Sequence, residues 1–387
     1  MIQRQLFTLA RERLRKRPAV AILGARQVGK TTLAHQLAEN LGVDTLWLDL
    51  ETPQSRALLQ QPYDFLPRHA EKLVVIDEVQ RMPEVFQALR VLIDKDRRPG
   101  RFLLLGSSSP AIVRQAAESL AGRISYLDLF PFSLNEVGYK EQARLWLRGG
   151  YPEAFLATGE GDAFLFLDDL LRSFIERDLV ELGLGAAPEN TFNLLRMVAS
   201  MHGQPLNLSM LAKSIGMSVP TVKVYLEFFV QACMAFKLPS FHLNTRKRLT
   251  KTPKIYITDS GVLHALNGIR DGDRLLGQAI KGHSWEGFVV QQVRARLEHR
   301  AELHYFRTAD GAEVDLVISQ GNRPIAAIEI KSTDHPVLSK GNHIALETVG
   351  APLQLVVTPS ALDHAMGDQV QVCSLATMWG HLEEALR

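Results

Sequence analysis

The stretch that decides the fold lies at residues 24–31 and reads GARQVGKT, which matches the pattern GxxxxGK[ST]. It directly follows the apolar run AVAIL at residues 19–23, and leucines recur at helical spacing after it, at positions 33, 37 and 41. A buried strand, a glycine loop and a helix in this order are the context that a phosphate-binding loop requires. The glycines permit a tight turn, so that backbone N–H groups and the helix N-terminus face the phosphates.

This loop predicts a site for ATP with Mg²⁺. Lys30 is expected to neutralise the β- and γ-phosphates, and Thr31 is expected to ligate Mg²⁺. The residues expected to hold the nucleotide are Gly24, Ala25, Arg26, Gln27, Val28, Gly29, Lys30, Thr31 and Thr32.

A second apolar run, LVVIDE at residues 73–78, brings two carboxylates to the end of a buried strand. Asp77 is expected to hold Mg²⁺ through water, and Glu78 to polarise the attacking water as a general base. The alternative is that both acids merely cap the following helix, and the phosphate loop makes that alternative the weaker one. The pair therefore predicts hydrolysis as well as binding.

Two further groups are candidates for the same site. The strand FLLLG at 102–106 ends in Ser107 and Ser108, which could sense the γ-phosphate or position the water, or could simply form a turn. Arg123 is a candidate arginine finger, a group that stabilises transition-state charge and often comes from a neighbouring subunit. Its alternative is a surface arginine in a structural salt bridge.

Length and composition bound the architecture. A chain of 387 residues suggests two or three domains, and a net charge of +2 leaves any nucleic-acid surface to local clusters of charge. Cys233 and Cys373 lack metal spacing and are interpreted as reduced core residues of a cytoplasmic protein. No apolar stretch reaches about 18 residues, so no membrane span is expected. The Arg-rich N-terminus is interpreted as an amphipathic helix ending at Pro18 rather than as a transit peptide.

Apolar strands at residues 19–24, 45–50, 73–76 and 102–105 alternate with helices, which predicts a parallel sheet covered on both faces. The run IDEVQRMPEVF…LLLGSSS…SLAGRISYLDLFPFSLNE…GGYPEAF resembles the AAA-type module of a widespread group of bacterial and archaeal ATPases. FIERDL at 174–179 and PKIYITDSG at 253–261 resemble further marks of that group. The resemblance covers essentially the whole chain, and it implies an AAA-like ATPase, a winged helix-turn-helix segment and a restriction-endonuclease-like end. It also implies a homo-oligomer such as a hexamer.

The middle of the chain predicts a helix-turn-helix. A helix near 211–218 ends in a tight turn, and a second helix opens at Val219-Pro220-Thr221. Two strands near 234–258 then flank a basic turn, the cations of which suggest contact with DNA phosphates. These cations are Arg246, Lys247, Arg248, Lys251 and Lys254. Because the second helix offers only Lys223 and Thr221 for reading bases, recognition of DNA structure is expected rather than of sequence. The alternative is a winged helix that serves as a protein contact.

The C-terminal part carries two carboxylates and a lysine on a predicted hairpin. Asp315 and Glu329 are each seven residues from Asn322, so a hairpin centred there places them opposite one another, with Cβ atoms about 5 Å apart. Lys331, two residues beyond Glu329, points to the same face. Carboxylates in such a set suit Mg²⁺ or Mn²⁺, and the lysine can activate a hydroxide.

This D-(x13)-E-x-K arrangement resembles the active site of the restriction-endonuclease-like nuclease fold. In that fold an upstream helix often supplies another acid, and Glu286 stands at the matching place, with Trp285, Phe288 and Val289 as the core face of its helix. The Pro-Asp of the family pattern is absent, since Val314 precedes Asp315. The alternative is a cross-strand salt bridge in an inactive scaffold, although close carboxylates repel unless a metal or a proton intervenes.

Together these features predict an α/β protein with four parts. They are an AAA-like P-loop domain (1–150), a helical lid or connector (151–185), a winged helix-turn-helix domain (186–266) and a restriction-endonuclease-like domain (280–387). The expected function is ATP-driven translocation or remodelling of DNA, for example of a branched or Holliday-junction structure, with a metal-dependent nuclease-like end. The alternative is an ATP-dependent oligomerising switch in signalling or defence, with a non-catalytic C-terminal platform. A third hypothesis is an ATPase in which the C-terminal fold is a structural platform that binds a protein partner.

Overall fold

The computed structural model describes residues 2–107, 120–179, 187–242, 251–297, 300–360 and 362–386. The chain divides into two compact units, one of residues 1–137 with 231–233 and one of residues 138–230 with 234–387. The first boundary therefore falls earlier than the predicted one near residue 150.

The first unit is a three-layered α/β domain. Its strands are β1 (Ala19–Leu23), β2 (Thr45–Asp49), β3 (Leu73–Asp77), β4 (Phe102–Gly106) and β5 (Ile124–Asp128). Its helices are α1 (Leu6–Leu14), α2 (Lys30–Leu41), α3 (Pro53–Leu58), α4 (Pro62–Phe65), α5 (Val85–Lys95) and α6 (Leu134–Val137). Two short 3₁₀ turns lie at Leu66–His69 and Val79–Arg81.

The five strands form one parallel sheet in the order β2-β3-β4-β1-β5. All residues of β1 and β4 are buried, as their continuous apolar sequence predicts. The parallel sheet and its first four strands are confirmed. The fifth strand was not predicted, because it is an edge strand in which only Leu127 is fully buried, so its sequence lacks a continuous apolar run.

Helix α2 is bounded by glycines that adopt left-handed conformations, Gly29 with φ of 96° and Gly42 with φ of 63°. Its inner face buries Leu33, Ala34 and Leu37 against the sheet. The N-terminal segment is a helix, as expected, and its buried residues Leu6, Ala10 and Leu14 recur at helical spacing.

The second unit begins with a group of helices. They are α7 (Gln142–Arg148), α8 (Pro152–Leu156) and α9 (Glu160–Ser173), and a π-helical turn at Phe174–Asp178 follows. Next come α10 (Pro188–Ser200), β6 (Gln204–Pro205), α11 (Leu208–Ile215), α12 (Val219–Gln231), β7 (Ala235–Leu238) and β8 (Lys254–Ile257). The strands form a three-stranded antiparallel sheet in the order β6-β8-β7. Helix α11 is capped by the Asn207 side chain and ends at Gly216, which has a positive φ of 69°.

The C-terminal part of this unit packs helices on a mixed sheet. Its helices are α13 (Ser260–Leu266), α14 (Gly272–Gly277), α15 (Lys281–Leu297), α16 (Lys340–Val349) and α17 (Met378–Ala385). Its strands are β9 (Glu302–Arg307), β10 (Glu313–Gln320), β11 (Arg323–Ile330), β12 (Leu353–Thr358), β13 (His364–Met366) and β14 (Val370–Ser374). The sheet order is β13-β14-β12-β11-β10-β9. Within α15, Trp285, Phe288 and Val289 are buried, as predicted.

Two glycine-containing motifs interlock in this unit. The N–H of Gly150 donates to Asp259 Oδ2 at 2.7 Å. A Cβ on Gly149 would lie 2.0 Å from Asp259 Oδ1, and a Cβ on Gly261 would lie 2.1 Å from the carbonyl oxygen of Arg148. Only glycine fits at such close approaches. Because these positions lack side chains, the end of α7 can pack directly against α13. This interlock explains why the division of the chain falls before the paired glycines rather than after them.

Candidate functional site

The first candidate site lies where strands β1, β3 and β4 end, at the carboxyl edge of the parallel sheet. The loop after β1 approaches its neighbours closely, since a Cβ on Gly24 would lie 2.3 Å from the carbonyl oxygen of Leu129. Gln27 and Gly29 adopt positive φ angles of 60° and 96°. Left-handed conformations of this kind allow successive backbone N–H groups to face an anion, as in phosphate-binding loops.

Lys30 and Asp77 lie at this loop, as predicted. The buried Nζ of Lys30 donates to the carbonyl oxygens of Ala25 and Gly24, at 2.8 and 3.2 Å. Burial lowers the pKa of Lys30, while the nearby Glu78 and Asp77 act in the opposite direction. The Thr31 hydroxyl donates to Asp77 Oδ2 at 2.7 Å. The two predicted Mg²⁺ ligands are therefore adjacent.

Glu78, the second acid of the predicted pair, has an unusual backbone conformation. Glu78 has a positive φ of 52°, and its carboxylate accepts a hydrogen bond from the amide Nε2 of Gln80. Burial raises the pKa of Glu78, which suits a group that takes a proton from water.

Gln80 is a residue that sequence reasoning missed. Its Oε1 accepts from the backbone N–H of Ser107 at 3.4 Å, and a Cβ on Gly106 would lie only 2.7 Å from that oxygen. The side chain thus connects Glu78 to the end of β4. The available signal was a glutamine two residues after the acid pair. The direction of its side chain, however, depends on the 3₁₀ turn at Val79–Arg81.

Ser107, Ser108 and Arg123 were the remaining candidates for this site, and the structure places them differently. The hydroxyl of Ser107 is buried and has no hydrogen-bond partner among the described residues, whereas Ser108 lies outside them. Arg123 makes a bidentate pair with Asp94, at 2.9 and 2.7 Å. The hydrogen bonds from Arg123 lower the pKa of Asp94 to about 2. This geometry favours the structural alternative for Arg123.

Arg4 supports the loop from the N-terminal segment. Its guanidinium donates to the Val28 carbonyl at 2.7 Å, to the Phe130 carbonyl, and to Glu136 at 2.9 Å. Glu136 in turn accepts from the N–H of Ser133 at 2.9 Å. The sequence LFPFSLNE thereby provides anchors for an arginine of the N-terminus, and no periodicity in the sequence indicated this.

A second candidate site lies in the C-terminal sheet. The register of β10 and β11 pairs Leu316 with Ile328, and continuing it places Asp315 opposite Glu329, as predicted. The hairpin is not centred on Asn322 as predicted, because Arg323 already belongs to β11 and pairs with Gln320. A two-residue turn alone would shift the register by one residue, and an irregularity after Ile318 restores it.

The predicted lysine lies beside its acid. Lys331 Nζ donates to Glu329 Oε1 at 2.7 Å, and the Asn342 amide donates to the same oxygen at 2.8 Å. Glu329 Oε2 is buried and has no partner among the described residues. The backbone N–H of Ile330 donates to Asp315 Oδ2 at 2.9 Å.

Lys254 lies inside this acidic cluster. Its Nζ is 2.8 Å from Glu286 Oε1, 2.6 Å from Glu313 Oε1 and 3.4 Å from Asp315 Oδ1. Lys254 is only 1% exposed. Its assignment to a DNA-contacting wing is therefore wrong, because a buried ammonium paired with carboxylates cannot reach a phosphate. Of the other predicted wing cations, Lys251 is exposed, and Arg246, Lys247 and Arg248 lie outside the described residues.

The acids of the cluster differ in pKa, since that of Asp315 is raised and that of Glu286 is lowered. Burial raises the pKa of Asp315 well above its usual range, and the neighbouring Glu329 and Glu286 add to the effect. Burial also acts to raise the pKa of Glu286, but Lys254, His283 and Tyr256 together lower it to about 2. Tyr256 donates to Glu286 Oε1 at 2.6 Å. Within the described parts of the chain, no group of three or more His, Cys, Asp or Glu side chains could hold a metal ion.

Three family models match consecutive parts of the chain. A model described as an AAA domain matches residues 16–138, a domain of unknown function (DUF8612) matches 139–273, and another (DUF4143) matches 281–378. Two proteins from Mycobacterium tuberculosis and Mycobacterium bovis, both described as uncharacterized, are each 37% identical over 360 residues. These matches cover 93% of this chain and 80% of each relative.

Solved structures are more distant. A Walker-type ATPase of Pyrococcus abyssi has a TM-score of 0.46 and 16% identity, over 69% of this chain and 96% of that one. A Thermotoga maritima RuvB Holliday junction branch migration motor has a TM-score of 0.30 and 19% identity, over 62% and 90%. No functional conclusion follows from likenesses of this extent. In the part of the chain that the structure describes, none of the helices has the length and hydropathy needed to cross a bilayer.

Proposed function

Because the chain belongs to the family of AAA-domain P-loop ATPases that carry a C-terminal DUF4143 domain, we propose that its ATPase activity serves to process DNA. The chemistry is assigned to the loop after β1 and to the two acids at the end of β3, Asp77 and Glu78. DNA binding is assigned to the middle segment of the chain, from α10 to β8. The C-terminal sheet is left out of the catalytic proposal, since an ammonium lies among its acids.

The observation that carries the catalytic part is the contact between Thr31 and Asp77, 2.7 Å apart, beside Glu78. Oxygen ligands at that point fit Mg²⁺, which would neutralise charge on the β- and γ-phosphates of ATP. Lys30 would leave its two carbonyl partners to bind the phosphates. Glu78 would accept a proton from the attacking water, and Gln80 would hold its carboxylate in position.

The support for DNA comes from the order of elements in the middle segment. Helix, strand, two helices and two strands, from α10 to β8, follow one another as in a winged helix. Helix α12 exposes Lys223, and Lys251 is exposed just before β8. Among the described residues of helix α12, Lys223 and Thr221 are the side chains proposed to reach DNA, so contact with the phosphates of a DNA structure is proposed rather than recognition of a sequence.

The test is ATP turnover measured with single-stranded, duplex and four-way-junction DNA of equal nucleotide content. We expect at least one DNA to raise turnover, and the increase to fall with salt as phosphate contacts are screened. The variant Lys30→Ala provides the blank for each DNA. Turnover that no DNA changes, in a protein that hydrolyses ATP, would remove DNA from the proposal and leave the ATPase.

A nucleotide-driven switch is the second candidate, and the buried ion pairs of Lys254 favour it. A C-terminal domain whose acids are already paired with an ammonium suits a non-catalytic platform. Under this reading ATP changes the oligomeric state, and turnover is slow. Light scattering after size exclusion, with and without ATP and using Glu78→Gln to prevent hydrolysis, measures that change. A mass that ATP leaves unchanged would count against the switch, and a monomeric mass in both conditions would count against the predicted homo-oligomer.

A further inference from the structure

The ammonium of Lys254 is surrounded by carboxylates from two elements of the C-terminal part. Glu286 lies on α15, and Glu313 and Asp315 lie on β10, with oxygens 2.8, 2.6 and 3.4 Å from Nζ. The ring of Tyr305 lies on another side, with its centroid 5.4 Å from Nζ. Lys254 itself belongs to β8 of the preceding sheet, so the contact joins two sheets of the unit.

Carboxylate oxygens are the ligands that a hard divalent cation takes in proteins, although these described carboxylates, as they stand around the ammonium, do not form a metal site. Here a positive charge already lies among them. We propose that Lys254 is the resident cation of this cluster, so that the C-terminal domain holds no metal ion there and a divalent cation can bind only when the lysine is removed.

The charges around the cluster fit this assignment. Arg307 lies 2.7 Å from Glu313, and Lys331 lies 2.7 Å from Glu329. With Lys254, these cations balance three of the four carboxyl groups. The fourth, Asp315, accepts a hydrogen bond from the backbone N–H of Ile330 and lies 3.4 Å from the Lys254 ammonium, so it shares that cation. A divalent ion added to this set would leave uncompensated positive charge in a buried place.

The arrangement has a functional consequence. Cleavage of DNA by a carboxylate-bound metal needs an ion with open positions for water and phosphate. An alkyl ammonium has three N–H donors and no such position, and here its donors face carboxylates. The cluster therefore acts as an internal ionic contact between the middle and C-terminal sheets, and Lys254 decides that it is not a metal site.

The test counts bound Mn²⁺ by electron paramagnetic resonance in the full-length protein without nucleotide. We compare the wild type, Glu286→Gln, Lys254→Ala and the Lys254→Ala/Glu286→Gln double variant. We expect equal Mn²⁺ binding in the wild type and Glu286→Gln, one added equivalent in Lys254→Ala, and loss of that equivalent in the double variant. Mn²⁺ should also raise the Tm of Lys254→Ala but not that of the wild type.

Two results would overturn the proposal. One is a wild-type Mn²⁺ equivalent that disappears in Glu286→Gln, which would mean that metal and lysine coexist or exchange in the native protein. The other is a folded Lys254→Ala protein that gains no Mn²⁺. If Lys254→Ala does not fold, Lys254→Met retains most of the side-chain volume and takes its place. The wild-type comparison decides native occupancy without either variant, and Lys251→Ala is the matched control, with unchanged Mn²⁺ binding.

Discussion

Two lysines of this chain are buried beside carboxylates, and their ammonium groups are held differently. Lys30 Nζ donates to backbone carbonyl oxygens of its own loop, so Asp77 and Glu78 remain available to a metal ion and to water. Lys254 Nζ donates directly to side-chain carboxylates, which it neutralises. The same residue types thus produce an open site in the first unit and a closed one in the second.

The difference lies in what each lysine must give up to bind a ligand. Release of two carbonyl contacts is a small loss that phosphate oxygens can replace. Release of three carboxylates from a buried ammonium leaves several charges unpaired, which costs far more. Burial lowers the pKa of Lys30, whereas the surrounding acids outweigh burial and raise the pKa of Lys254 well above its usual range.

The comparison is tested most strongly at the catalytic acid of the open site. Glu78→Gln removes the proposed base, and we expect ATP turnover to fall by about 10²- to 10⁴-fold while ATP still binds. Steady-state turnover and nucleotide binding are measured side by side. Glu84→Gln, an exposed acid six residues later, is the control with unchanged turnover. Near-normal turnover in Glu78→Gln would assign the base to another group.

The closed site is tested through stability. Lys254→Ala leaves buried carboxylates without their counter-ion, and we expect the free energy of unfolding to fall by about 3–5 kcal/mol. Urea denaturation followed by tryptophan fluorescence measures the change. Lys251→Ala, which removes an exposed lysine nearby, should change stability by less than about 0.5 kcal/mol. Equal effects of the two variants would refute the buried ion pairs.

The pH dependence of stability sharpens the same point. The pKa of Glu286 is lowered from 4.5 to about 2, so the stability that it contributes is present above pH 4.5 and lost as pH falls toward 2. We expect a loss of about 3 kcal/mol across that window in the wild type and a flatter profile in Glu286→Gln. The exposed Glu347→Gln serves as control. Parallel profiles for the wild type and Glu286→Gln would mean that Glu286 is not held ionised by Lys254.

The smallest expected effect concerns the residue that positions the base. Gln80→Leu removes the hydrogen bond to Glu78, and we expect kcat to fall about tenfold, which corresponds to about 1.4 kcal/mol. Because that bond lowers the pKa of Glu78, the acidic limb of the kcat–pH profile should move to higher pH. The exposed Gln87→Leu is the control. A fall in kcat without movement of the profile would indicate a purely structural role.

Much of the open site could be predicted because its parts are local in sequence. Lys30 and Thr31 belong to one loop, and Asp77 and Glu78 end one strand, so a short motif specifies each part. The contributions of Gln80 and Arg4 escaped prediction because they depend on the turn after β3 and on a contact across more than a hundred residues, from Arg4 to Glu136.

For the C-terminal cluster, the amino-acid sequence by itself indicated that Asp315, Glu329 and Lys331 share one face of a hairpin, since strand periodicity and their spacing predict it, although the register also needs the irregularity after Ile318. Only the tertiary structure decided what balances those acids. Lys254 lies 61 residues before Asp315, in a strand whose basic neighbours suggested a surface. Folding buries that one side chain between sheets, and electrostatics then favours an ammonium among carboxylates over a metal ion, which no spacing in the sequence could reveal.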